Sequence, residues 1–254
     1  MPTTPNKDSK PMSRRAFLRN SGLALGGVVL GGAFGTAIWK DREEQPQEAP
    51  PGASQTPAAS GSYQDALMFF NQEQFRLTEA AVERIYPEDE HGPGAKKLGV
   101  AYYIDHQLAG NWGSNTKDYM MGPFSPGEAT QGYQGRLTRA SMFLIGLNGL
   151  KDYSQKTYGK AFPELEEAEQ DEVLKAFEKG DKVKLNGTDA PSFFKNLRTF
   201  TLEGVYADPM YGGNKDMQGW KMRNYPGNQM SYYDQIEKDG LVKLEPKSLR
   251  DHMA

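Results

Sequence analysis

Apolar positions in this chain recur at helical spacing in five blocks, and no run sustains the alternation of period two that a strand requires. Phe75, Thr78, Val82 and Ile85 form the first stripe. It opens at Asn71-Gln72-Glu73-Gln74, which resembles a capping box, and Pro87 ends it. Ala95 to Leu108 predicts a second helix, with Leu98, Ala101 or Tyr102, Ile104 and Leu108 inward and Gly110 as the stop. Residues 110–132 read as loop, on Gly113, Gly122-Pro123, Pro126-Gly127 and Gly132. Gln134 to Tyr153 predicts a third helix with Leu137, Ser141, Leu144 and Asn148 on one face. Phe143, Ile145, Leu147 and Leu150 widen that face, which makes it the expected most buried helix. Pro163 to Lys179 predicts a fourth, with Leu165, Ala168, Glu172, Leu174 and Phe177, acidic early and basic late as the helix dipole favours. Pro191 after Asp189 marks a helix start, and Phe193, Phe194, Leu197, Phe200 and Thr201 carry that helix to Glu203. The expectation is an all-α domain of about five helices.

Beyond Glu203 the helical pattern breaks. Tyr206 to Gly227 packs Pro209, Gly212-Gly213-Asn214, Gly219, Pro226 and Gly227 around Tyr206, Tyr211, Trp220 and Tyr225. That density of Gly and Pro argues against regular helix or strand. The aromatics argue against a loose linker, because they are costly to leave in water. The stretch is expected to be a long ordered loop, either closing the end of the helical domain or facing a partner or ligand. A polar tail completes the chain.

Residues 1–40 read as an export signal. Ser13-Arg14-Arg15-Ala16-Phe17-Leu18 is a twin-arginine pattern, and an uncharged run extends from Ser21 to Trp39. Arg14, Arg15, Phe17 and Leu18 are its candidate recognition residues. The run nearly reaches bilayer-spanning length, so cleavage after export and retention as an anchor both stand open. Gly27, Gly31 and Gly35 are spaced as in packed membrane helices, but read better as low hydrophobicity. Residues 41–62, rich in Pro, Ala, Gln, Ser and Glu, read as a disordered linker to a body spanning 63–254.

Composition narrows the chemistry. The formal net charge is −3, of which residues 1–40 hold +5 (Lys7, Lys10, Arg14, Arg15, Arg19 and Lys40 against Asp8), leaving −8 on the rest. An acidic body argues against nucleic acid as a partner. Cysteine is absent, which excludes c-type haem attachment, Cys-ligated iron–sulfur clusters and disulfides. No G-x-G-x-x-G after a strand, phosphate loop or nucleophile elbow is present. Asp105-His106, with Glu88, Asp89, Glu90 and His91 upstream, offers a general base or metal site by residue type. The spacing fits no defined ligand pattern, and solvated charge with a partnered His is the preferred reading. Asp208, Tyr211, Asn214, Asp216 and Trp220 suit a sugar pocket by type, but Asn and Asp in such loops more often brace their own backbone.

The sequence D-P-x-Y-G-G-N-K-D-x-x-G-W, continuing to P-G, resembles the signature of the gluconate 2-dehydrogenase subunit 3 family. It runs through Asp208, Pro209, Tyr211, Gly212, Gly213, Asn214, Lys215, Asp216, Gly219, Trp220, Pro226 and Gly227. Lys215 stands where Arg is common, which keeps the charge and loses the planar fork. Ile85, Pro87, Pro93-Gly94-Ala95, Gly99-Val100 and Tyr103-Ile104-Asp105 fall as the family's first motif does. The resemblance implies a non-catalytic small subunit of a membrane-bound dehydrogenase of sugars and polyols. It implies that FAD and the substrate site lie in a large glucose-methanol-choline-type flavoprotein, and that a membrane cytochrome c with haem commonly completes the complex. No catalytic, cofactor or metal residue is expected here. The twin-arginine signal would then engage the translocase for the flavoprotein too, placing the complex at the outer face of the cytoplasmic membrane. Two other readings stay open: an autonomous exported sugar-acid-binding protein, and an enzyme with an unrecognised site.

Overall fold

The computed structural model describes residues 65–125, 127–133, 135–180, 183–240 and 242–253. The signal expected at 1–40 and the linker at 41–62 lie outside them, as do Arg14, Arg15, Phe17 and Leu18. Among the described residues there are five long helices, two short ones and isolated bridges but no strand, so the domain is all-α as predicted. No helix among them is long and apolar enough to cross a membrane.

Helix α1 spans Gln72–Ile85. Asn71 accepts from Gln74 N at 2.9 Å, and the Gln74 side chain accepts from Asn71 N at 3.0 Å, so the capping box is formed. Phe75, Thr78 and Val82 are buried as expected, and Ile85 only partly.

Helix α2 spans Val100–Ala109 and starts five residues later than predicted. The Glu83 carboxylate accepts from Lys96 N at 2.7 Å and Glu88 N at 3.2 Å. Those bonds hold residues 95–99 as turns, and Gly99 at φ 71° re-aims the chain. On α2, Asp105 is fully buried. Its carboxylate accepts from Met68 N at 2.6 Å, Phe69 N at 3.0 Å and Phe70 N at 2.6 Å. The solvated role preferred for Asp105 is therefore corrected: it ties down the segment that leads into α1. His106 Nε2 lies 3.0 Å from Ala66 O.

Helix α3 spans Arg139–Tyr158 rather than 134–153. Thr138 caps its start by accepting from Ser141 N at 3.2 Å, and Gly159 at φ 71° ends it. The buried face is Met142, Phe143, Gly146, Leu147, Leu150 and Ser154, turned away from the expected Asn148, which is exposed. The reason is Gly146: a Cβ there would collide with the Phe193 ring, so that glycine, not an apolar side chain, marks the contact line.

Helix α4 spans Glu167–Lys179, shorter than predicted because Phe162–Glu164 is a separate 3₁₀ turn and Glu166 caps the helix with Glu169. Gln170 and Val173 are buried where Ala168 and Glu172 were expected.

Helix α5 spans Ala190–Tyr206, capped by Asp189 accepting from Ser192 N at 2.8 Å. It packs on α1, α2, α3 and α4 and buries Phe193, Leu197, Phe200, Thr201, Gly204 and Val205. It is the central helix, in place of the expected third one. Phe193 meets Phe143 at 5.7 Å and Phe177 at 6.0 Å, edge to face. These are the arrangements that ring quadrupoles favour.

Candidate functional site

The stretch after α5 is folded tightly. Tyr206 still belongs to α5; Pro209–Tyr211 and Lys215–Met217 are 3₁₀ turns, and Gln218–Met222 is α6. The expectation of no regular helix is corrected for α6, a single turn that brings Gly219 and Trp220 inward.

Asp208, Asn214 and the Trp220 N–H all bond within the chain itself. Asn214, fully buried, donates to Ala207 O at 2.7 Å and accepts from Gly219 N at 2.8 Å. Its backbone sits at φ 39°, where Asn is tolerated and most side chains are strained. Asp208 accepts from Met210 N at 3.0 Å, Ser248 Oγ at 2.5 Å and Leu249 N at 2.7 Å. The first bond is an Asx turn, and the other two hold the returning tail. Trp220 is 5% exposed, donates Nε1–H to Tyr206 O at 2.7 Å and meets Tyr225 edge to face at 5.4 Å. It is a core residue of its own chain.

The glycines permit close approach. Gly212 and Gly213 lie at φ 82° and 68°, and a Cβ on Gly213 would strike Gly204 O. A Cβ on Gly219 would strike Val205 O, and one on Gly227 would strike Lys247 O. Pro226 O accepts from Lys247 N at 3.2 Å. Lys215 N donates to Leu98 O at 3.1 Å and so ties the turn to the start of α2. Outward stand Tyr211, 46% exposed, and the side chains of Lys215 and Asp216.

Of the clefts that border this stretch, two also touch the long helices. One, of about 350 Å³, is lined by the backbone of Gly99, Gly212 and Gly213, by Tyr102, and by Asp65, Lys215, Asp216, Arg250 and Asp251. Burial pushes the Tyr102 hydroxyl above its ordinary value, and the Asp65 charge adds to that. The other, of about 460 Å³, is lined by Tyr86, Asp89, His91, Tyr206 and Arg223. There the Tyr86 and Tyr206 hydroxyls lie 3.4 Å apart, and Arg223 Nε donates to Tyr206 at 3.2 Å. Burial pushes Tyr86 up to about 12. Burial also pushes Tyr206 upward, but the hydrogen bonds with Tyr86 and from Arg223 outweigh it and hold Tyr206 below the usual tyrosine range. Among the described residues no group of three His, Asp or Glu side chains converges as a metal set. Asp105 and His106 are engaged with residues 66–70, far along the chain from the acidic loop grouped with them by sequence.

Sequence reasoning passed over Ser248, Gly204 and the tail's return. Ser248 had a legible signal: Ser248-Leu249-Arg250-Asp251 is a capping box, with Ser248 N donating to Asp251 at 2.8 Å. Gly204 had none, since its role depends on what crosses it.

The sequence profile of gluconate 2-dehydrogenase subunit 3 matches residues 72–227. The chain belongs to this family. The match starts at the first residue of α1 and ends at Gly227, so both motifs lie inside it. Searches of curated proteins and of solved structures returned no match. As a gluconate 2-dehydrogenase subunit 3 protein, the chain is an accessory subunit of a dehydrogenase complex.

Proposed function

We propose that this chain is the non-catalytic small subunit of an exported, membrane-associated, FAD-dependent dehydrogenase of sugar acids or polyols. Its large partner is a flavoprotein of the glucose-methanol-choline type that holds FAD and substrate, in the kind of complex that a membrane cytochrome c with haem commonly completes. The observation that carries this reading is how the signature uses its polar groups. Asp208, Asn214 and the Trp220 N–H, three of the five groups that suit a sugar pocket by type, each bond to this chain's own backbone or to Ser248. A loop that uses those groups internally is a scaffold for the side chains it turns outward, Tyr211, Lys215 and Asp216.

The second half of the proposal is escort. Twin-arginine export carries folded proteins, which matters when a flavin is inserted before export. The Ser13–Leu18 pattern sits on a chain with no dinucleotide fingerprint. Changing Arg14 and Arg15 to Lys in the complete chain should strand both this protein and the flavoprotein in the cytoplasm, read as dye-linked dehydrogenase activity in each fraction. Normal export of the flavoprotein would overturn the escort role.

The cleft of about 350 Å³ beside Lys215 and Arg250 favours a second reading, an autonomous exported sugar-acid-binding protein. Saturable heat on titrating gluconate into the chain without its partner would select that reading.

A further inference from the structure

Past Gly227 the chain makes a hook. It leaves the body beside Trp220, runs out through α7, Tyr233–Ile236, and returns at Lys247. The base is closed by hydrogen bonds. Asn228 N donates to Lys247 O at 2.7 Å, and Gln229 Nε2 donates to Pro226 O at 2.8 Å and Glu245 O at 3.3 Å. His252 Nε2 lies 2.9 Å from Asn228 O. Yet no described residue from Asn228 to Lys247 is buried. Met230 is 67% exposed, Tyr233 81% and Ile236 74%. Tyr233 and Ile236, three apart on one helical turn, share a face. Tyr232 and Val242 line a groove of about 450 Å³ with Pro226 and Leu244.

Closing a long loop costs chain entropy, and burying apolar side chains in a core of its own normally offsets it. This hook has a fixed base and no core. Ordered loops of this length usually serve binding, and grouped exposed apolar side chains mark an interaction surface. We propose that the hook is the element that docks on the catalytic subunit of the dehydrogenase complex, an inference that rests on reading the chain as an accessory subunit.

Three considerations choose this occupant. Met230, Tyr233 and Ile236 are each two-thirds or more exposed, apolar side chains of the kind that fill the centre of an interface of roughly 800 Å² per partner. Asp234, Glu237, Asp239 and Glu245 stand among Lys238, Lys243 and Lys247. Such a mixed rim suits a protein surface, whereas an anionic lipid surface selects clustered Lys and Arg. The hook also lies beyond residues 72–227, the span shared with the family, where a chain can carry a feature fitted to its own partner.

The test is co-production of the full, affinity-tagged chain with its catalytic subunit, as parent and as the double variant Tyr233→Ser, Ile236→Ser. The expected result is retention of the catalytic subunit by the parent and roughly tenfold weaker retention by the variant, with the melting temperature unchanged. Equal retention overturns the hook while leaving the accessory-subunit reading intact. A parent that retains no catalytic subunit overturns both. A lowered melting temperature would assign these side chains to the fold, self-association lost in the variant would assign them to a second copy, and pelleting with phosphatidylglycerol vesicles would assign them to a membrane; each outcome overturns the proposal.

Discussion

Trp220 shows what a single residue can decide here. By type it fits either a core or an interface hot spot, since both favour a large apolar ring with one donor. Its 5% exposure and its bond to Tyr206 O put it in the core. Trp220→Ala should therefore destabilise the chain alone by about 3–5 kcal/mol, seen as a lower urea midpoint without the partner present. An unchanged midpoint together with a broken complex would return Trp220 to the interface. Asn214 carries a related lesson. Its preference for the left-handed region and its paired amide were both visible as an Asx-type brace, because those bonds reach only five and seven residues along the chain. Asp208 was half visible. Its turn to Met210 is local, but its hold on Ser248 spans forty residues and leaves no local periodicity to read.

At the level of elements, caps were more legible than faces. Asn71 with Gln74, and Asp189 before Pro191, announce α1 and α5 by short-range hydrogen bonding that any sequence window contains. The start of α2 was not legible, because a glutamate in the preceding helix, Glu83, sets it. The face of α3 was misplaced because apolar periodicity cannot register a glycine as a contact. Gly204 makes the same point on α5. A Cβ there would come within 2.9 Å of Val100 and 3.0 Å of Tyr103 on α2, while its carbonyl accepts from Asn214 N at 2.9 Å. The α2–α5 crossing and the signature turn thus meet on one residue. Gly204→Val should cost about 1–3 kcal/mol through overpacking and should blunt the near-ultraviolet signal of Trp220, whose loop is anchored there. A variant with the parent's denaturation curve and near-ultraviolet spectrum would show that the crossing adapts.

For the whole molecule, alkaline pH probes how the body is held. Tyr86 is pushed up to about 12, by burial first and then by Tyr206, and Tyr103 is raised by burial and by Glu203. A raised folded-state value means the contribution is fully present below the ordinary tyrosine value of about 10 and is lost as pH climbs through the folded value. Tyr206 is shifted the other way and offsets part of the loss, since its contribution is present above the ordinary value. The urea midpoint should fall as pH rises above about 10, and Tyr86→Phe should fall less steeply; an equally steep fall would remove Tyr86 from the account. Two carboxylates then frame the molecule: Asp105 holds residues 68–70 before α1, and Asp208 holds Ser248 and Leu249 after the hook. The Asp105 clamp has a mechanical consequence. Tension applied upstream of residue 65 reaches three N–H groups gripped by one carboxylate before it reaches the apolar face of α1. The load then passes through that carboxylate into α2, so the leading segment is held by the domain before α1 itself is pulled.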